Sequence, residues 1–546
     1  MFNIALWAFH MNCRLQNHNF SLFTLMEKRA LFIFLLLIGV QCAAGALTDL
    51  SNGFCRSYKF GTTIANDTLY LIDLDGGLIP GDGNASNNYL VQLDLTQQFS
   101  LNNGSNYKMS LITPEAPKLK DQALWSSRDN TTLYAYGGRG VDNTSSDNGI
   151  WTYKSETKTW KLQQTGMIAV RRLGGAYVNV PAIQGAYWLG GYQSSDTTET
   201  ITDKTINYLD KMIQLNTTTG QITELSAPST PVQQGALVYI PVGRMGILVF
   251  MGGEVPSAAT GVNLTYTPNS WNYVQVYDIA SDKWYNQTTS GNVVAARTQF
   301  CAVVQHDISS SSYQIYILGG ANFVTKSVYS DVSYLSIPSF KWFRAEGLNE
   351  GRMTLACEAY GRQIFGVGGR LAWSDTAAAG CYTMPAFLYD AQSESEPADF
   401  DPSLFAYSIQ SATEQDIKAS PYPSTWADPA LKTIFTQSSP SPTSSAISSA
   451  NNGDGPKINV GAMVGGIVGG VAGLASLISV LFFLIRRKRR AADNRPGKME
   501  VKPGCSKDSS RRGELADTEL KPELPAQDIP HELGYGNVYE MDGRDR

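Results

Sequence analysis

Histidine is scarce in this chain: four in 546 residues, at positions 10, 18, 306 and 531. That count alone excludes zinc or copper sites built from several imidazoles, and no metal or other cofactor is expected. Charge is thin as well, at 17% of residues with a formal net charge of -5. Without a broad basic surface there is little counterion release to gain from a polynucleotide, so nucleic acid is not an expected partner. No phosphate-cradling loop is present, because the densest glycine run lies inside an apolar stretch near the C-terminus. What is plentiful, 50 Gly, 27 Tyr and many Ser and Thr, suits short strands and turns. The expected class is all-β.

The chain carries addresses at both ends. From Met26, Glu27-Lys28-Arg29, the apolar run Ala30 to Val40 and the small residues Ala44-Gly45-Ala46 form a secretory signal, which places the signal region at 1–46 with a true start at Met26. Residues 459–485 include an uncharged run from Val460 to Ile485, long enough to cross a bilayer, followed at once by Arg486-Arg487-Lys488-Arg489-Arg490. Basic residues stay cytosolic, so the reading is a single-pass type I plasma-membrane protein with its N-terminal part outside. After the signal region, eight glycosylation sequons, at Asn66, Asn84, Asn103, Asn130, Asn143, Asn216, Asn263 and Asn286, all precede that run and none follows it. Cys55, Cys301, Cys357 and Cys381 fall on the oxidising side and make two disulfides in one of three pairings, with Cys357–Cys381 preferred.

The region between is repetitive. Six apolar runs end in Gly-Gly, and the second glycines, Gly77, Gly138, Gly191, Gly253, Gly320 and Gly369, are spaced by 61, 53, 62, 67 and 49 residues. A large apolar residue, Phe99, Trp160, Ile222, Trp284 or Trp342, trails each of the first five by 22 or 31 residues. Each repeat reads as one four-stranded antiparallel unit that cannot bury both faces alone and must stack radially. On these motifs residues 47–410 resemble the kelch-repeat β-propellers, with about six blades. The whole layout is similar to fungal surface proteins that join such a propeller to a Ser/Thr-rich stalk, here 411–458, one membrane helix and a short tail, here 486–546. The sequence departs from the pattern at Ile222 and near Glu396, so the sixth blade is expected to close irregularly, through Phe405-Ala406-Tyr407 or an N-terminal strand.

The resemblance extends in fold to copper-radical oxidases of the galactose-oxidase type, whose metal uses two His and two Tyr. The expected outer part has only His306, which argues against that chemistry and against a serine triad beside Asp307. A carbohydrate-active propeller enzyme, hydrolase or oxidase-like, stands as the rival reading, and a paired-carboxylate hydrolase would need no histidine. The preferred reading is a non-enzymatic receptor or adhesin for an extracellular glycan or protein. Arg56, Arg172, Arg297 and Arg352 precede the second glycine of their repeats by 21, 19, 23 and 17 residues, near the start of an innermost strand. With Gln122 and Gln233-Gln234 they suggest donors at a channel mouth for anionic or hydroxyl groups; the alternative is that they satisfy carbonyls and carboxylates between blades. Gly461, Gly465, Gly469 and Gly473 form a small-residue stripe suited to a homodimer in the membrane. The tail is charged and reads as disordered.

Overall fold

The computed structural model describes residues 49–51, 61–72, 89–113, 116, 119–140, 149–167, 170–307, 309–371 and 384–436. Among the described residues the architecture is all-β, with two short α-helices. Six antiparallel sheets follow one another along the chain. Sheet 1 comprises Gly61–Ala65, Thr68–Ile72, Tyr89–Asp94 and Lys108–Leu111. Sheet 2 comprises Leu119–Ser126, Thr132–Gly140, Ile150–Lys154 and Thr159–Gln163. Sheet 3 is Ala176–Val180, Gly185–Leu189, Met212–Asn216 and Ile222–Leu225, and sheet 4 is Ala236–Ile240, Ile247–Met251, Tyr273–Asp278 and Lys283–Thr288. Sheet 5 holds Cys301–Asp307, Ser312–Leu318, Val332–Ile337 and Lys341–Ala345, with a short parallel edge at Ser290–Gly291. Sheet 6 has three strands, Met353–Tyr360, Gln363–Arg370 and Ala386–Asp390.

Apolar burial explains why the sheets stack. Second strands such as Ile247–Met251 are buried at every position, so both faces need cover, and each neighbouring sheet supplies it. Six apolar cores result, each shared by two consecutive sheets. Trp125 and Tyr136 of sheet 2 meet Trp188 of sheet 3, for example, and Leu69 and Leu71 of sheet 1 meet Phe365 and Val367 of sheet 6. That last core closes the cycle, and the first strands of the sheets touch in the same cyclic order. Each fully buried large apolar side chain contributes about 1.5–3 kcal/mol. Trp160, Ile222, Trp284 and Trp342 sit on fourth strands as the repeat implies, whereas Phe99 lies on a short strand beside sheet 1: Trp160 packs into the core between sheets 1 and 2, and Trp342, fully buried, into that between sheets 4 and 5.

The five Gly-Gly pairs among the described residues close the second strands with left-handed backbones at both positions, as at Gly190 and Gly191 (φ 68° and 75°); Gly76 and Gly77 lie outside the described residues. A Cβ on Gly191 would lie 2.4 Å from the Leu173 carbonyl oxygen, so glycine is required by space as well as by φ. The second glycine also ties the ring together. Gly138, Gly191, Gly253 and Gly320 donate their N–H groups to the carbonyls of Arg172, Val232, Arg297 and Arg352, each just ahead of the next sheet's first strand.

Sheet 6 is not completed by Phe405-Ala406-Tyr407 or by an N-terminal strand among the described residues. Asp399–Phe400 instead pairs with Phe99–Ser100 beside sheet 1, Tyr407 hydrogen-bonds Tyr316 of sheet 5 at 3.1 Å, and Leu50 packs into the core between sheets 1 and 6. The stalk expected from residue 411 begins no earlier than residue 437. Residues 411–436 form α1 (Ser411–Ala419) and α2 (Pro429–Thr436), which strap the turns of sheets 4 and 5. Asp416 pairs with Lys341 at 2.6 Å, Thr413 bonds Tyr334 at 2.8 Å, Leu431 is fully buried, and Trp426 stacks on Phe435. Pro429 opens α2 after Asp428, whose carboxylate accepts from the Ala430 N–H at 2.7 Å.

Among the described residues no helix is long and apolar enough to cross a membrane. The signal region, the 459–485 span with its glycine stripe, and the tail lie outside the described residues.

Candidate functional site: the central cavity

The first strands of sheets 2 to 6, with Thr62 of sheet 1, enclose a cavity of about 410 Å³. One end is set by an unusual backbone. Asp121, Gly174, Gln234, Gln299 and Thr354, each within two residues of the start of its first strand, have φ of 62°, 68°, 56°, 57° and 59°. Four of the five are not glycine, and for an L side chain that conformation costs about 1–2 kcal/mol. A chain of three backbone bonds links four of them. Gln234 N–H donates to the Gly174 carbonyl at 2.7 Å, Gln299 N–H to the Gln234 carbonyl at 3.0 Å, and Thr354 N–H to the Gln299 carbonyl at 2.7 Å. The backbone amides are thereby consumed around the ring, and the side chains are left to the cavity they line. The Gln299 Oε1 and Thr354 Oγ1 atoms are buried without a hydrogen-bond partner, and Thr354 is only 5% exposed.

Further along the cavity, Glu358 on the first strand of sheet 6 accepts a hydrogen bond from Thr62 Oγ1 of sheet 1 at 3.0 Å. Burial pushes its carboxyl up to about 7, against the opposing effect of the Thr62 bond. Tyr177, stacked on Trp188, has its phenol raised, first by burial and then by the Glu358 charge. Asn179 completes this polar stretch, donating to Ser126 Oγ at 2.7 Å. Among the described residues, no Lys, Arg or His lines the cavity.

The cysteine reading needs correction. Cys301 and Cys357, on adjacent first strands of sheets 5 and 6, are joined as a disulfide with Cα atoms 5.6 Å apart, and both line the cavity. Cys357 is therefore not paired with Cys381; Cys55 and Cys381 lie outside the described residues. Sequence separation favoured the nearer partner, whereas radial stacking brings together strands 56 residues apart.

The arginines sit at the seams between sheets, and Arg172, Arg297 and Arg352 are not among the cavity's lining. Arg172 Nη1 donates to the Lys211 carbonyl at 2.5 Å. Arg297, 1% exposed, donates to the Gly319 carbonyl at 3.0 Å, makes a two-pronged pair with Asp331 at 2.9 and 2.7 Å, and stacks over Tyr329. Arg352 Nη1 reaches the Gly368 carbonyl at 3.3 Å and its guanidinium lies over Phe387. Arg56 is outside the described residues. Of the amides named with them, Gln122 and Gln234 do line the cavity, while Gln233 is buried against Glu254 at 2.8 Å.

His306 lies exposed on a hairpin, stacked on Tyr313 at 4.2 Å. Asp307 accepts from the Ser309 and Ile409 N–H groups, which commits it to local structure. Of the sequon asparagines, Asn66, Asn103, Asn263 and Asn286 are exposed, Asn130 and Asn216 are half-buried at turns, and Asn84 and Asn143 lie outside the described residues.

No family model matches the chain. It is similar to a Kelch repeat-containing protein of Arthroderma benhamiae, 29% identical over 369 residues, which cover 58% of this chain and 53% of that protein. The chain thus spans about half the length of that curated relative. A solved structure of YjhT aligns at a TM-score of 0.45 and 15% identity over 64% of this chain and 99% of its own. The repeat similarity and the radially packed sheets together support a kelch-type β-propeller fold for residues 61–400.

Proposed function

We propose that this chain is a non-enzymatic, cell-surface propeller of six blades that binds an extracellular glycan or protein ligand through its central cavity. A secretory signal and the 459–485 helix hold it as a single-pass glycoprotein, with the glycine stripe pairing two copies. One observation carries the binding reading: strained, non-glycine residues from successive sheets converge on a cavity and leave buried Gln299 and Thr354 oxygens unsatisfied. The cavity volume lies within the range of about 300–1,000 Å³ usual for small-ligand sites. Carboxylates and amides without a cation suit hydroxyl-rich groups, whereas the arginine ring would have suited anions. A glycan and protein array probed with the detergent-solubilised full chain tests this; selective capture supports it, and no capture of any class counts against it. Deglycosylation that shrinks the protein, with an introduced tail sequon left bare, tests the topology.

A second reading has its own observation. Two carboxylic side chains, Asp121 and Glu358, line one cavity, and burial holds Glu358 near the value of a general acid. Hydrolysis of a captured glycan, lost in Glu358→Gln, would establish a carbohydrate-active enzyme instead.

A further inference from the structure

The cavity's unsatisfied groups lean towards acceptors. Gln299 Oε1 and Asn179 Oδ1 are acceptors without a donor, the Thr354 hydroxyl, which can accept or donate, has no partner, and the Glu358 carboxyl accepts from the Thr62 hydroxyl with the Tyr177 phenol nearby. Asn179 has both amide hydrogens directed elsewhere, to Ser126 and Thr63. A ligand that satisfies this set must be rich in donors. The charges agree: Glu358 and Asp121 line the space, and among the described residues no cation does. The ionisable groups around Glu358 are Asp121 from sheet 2, Tyr177 from sheet 3 and Tyr239 from sheet 4, while sheets 1 and 5 bring no charged residue to the lining. The donor-seeking groups are also spread out. Thr354 and Glu358 are four residues apart on one strand, roughly 13 Å at the usual rise.

Resting on the reading that the cavity is the binding site, we propose that its ligand is a protonated primary amine on an extended, donor-rich body, with the ammonium against Glu358 and the far end against Gln299 and Thr354. An ammonium offers three donors and the opposite charge, and its bonds to a carboxylate are about twice as strong as neutral ones. Two sources share this chemistry, the free amine of a hexosamine in a glycan and an alkyl amine of the lysine side-chain type.

The test is calorimetric titration of the detergent-solubilised full chain with a glucosamine trimer, its fully N-acetylated counterpart and 1,5-diaminopentane, at about pH 5.5 and about pH 7.5. Deprotonation of Glu358 across that interval strengthens binding of 1,5-diaminopentane, whose amines stay protonated throughout, by on the order of tenfold, while the sugar amines of the trimer lose protons over the same interval and offset part of the gain. The N-acetylated trimer binds at least about tenfold more weakly at the higher pH, and Glu358→Gln removes both the preference and the pH dependence. Tighter binding of the trimer identifies the sugar source, and tighter binding of the diamine the alkyl one. Equal binding of acetylated and free trimers, or amine binding unchanged in Glu358→Gln, overturns the inference. Ala356→Phe, which fills the cavity, separates the two levels. Loss of both trimers in that variant alongside equal affinities in the wild type leaves the cavity reading standing and removes the amine. Amine binding intact in a folded Ala356→Phe protein removes the cavity reading itself.

Discussion

Replacing Arg297 by methionine separates a seam arginine from a ligand arginine. The side chain is almost wholly buried, and its donors serve the Gly319 and Ala295 carbonyls and both Asp331 oxygens. Methionine fills similar space but donates nothing, so the carbonyls lose their partner at about 1–3 kcal/mol. The Asp331 side chain is 49% exposed and returns to water, so the ion pair adds no more than about 1 kcal/mol. Lost stacking on Tyr329 adds about 0.5–1 kcal/mol. The expected cost is roughly 2–4 kcal/mol, or a fall of roughly 3–5 °C in the thermal midpoint. Differential scanning fluorimetry of the full chain measures it, alongside binding of an array-selected ligand, which should survive. An unchanged midpoint with binding abolished would refute the seam assignment and restore the arginine-lined mouth.

Leu431→Ala in α2 should cost about 2–5 kcal/mol in chemical denaturation, because a fully buried leucine leaves a cavity; a stalk residue would cost nothing measurable. Non-reducing peptide mapping should recover Cys301 linked to Cys357, and Cys301→Ser should destabilise by on the order of 4 kcal/mol for a loop of this length. Glu358 is raised from 4.5 in the unfolded chain to about 7 in the fold, so between those values the native state holds the extra proton. Stability contributed through this group therefore falls as pH rises from about 4.5 to about 7, by up to about 3 kcal/mol, and is level on either side. Glu358→Gln should flatten that slope in pH-dependent urea titrations.

The repeat was legible because its markers are local. Gly-Gly at a strand end and a large apolar residue on the fourth strand each answer to a steric need within one unit, as Gly191 and Trp342 show. The arginine spacing has a backbone counterpart: Arg172, Arg297 and Arg352 occupy the position whose carbonyl receives the preceding sheet's glycine N–H. Gln122 and Gln234 were the part of the site within reach of sequence reasoning. The rest was not, because Asp121, Gly174, Gln234, Gln299 and Thr354 share a backbone conformation and no side-chain chemistry. Glu358 gained its importance only from burial opposite Thr62, a residue 296 positions away. The strap escaped notice because its few large apolar residues, Trp426, Leu431 and Phe435, are spread among polar ones and match no strand period.

The most direct test of the central claim is the affinity of the double variant Gln299→Leu/Thr354→Val for an array-selected ligand, beside its thermal midpoint. Both changes replace orphaned buried polar groups by apolar ones of similar shape, which is nearly neutral or stabilising for the fold. The account predicts a midpoint held or raised, with binding weakened at least about tenfold. Wild-type affinity in a folded double variant would contradict it and place the ligand elsewhere on the propeller.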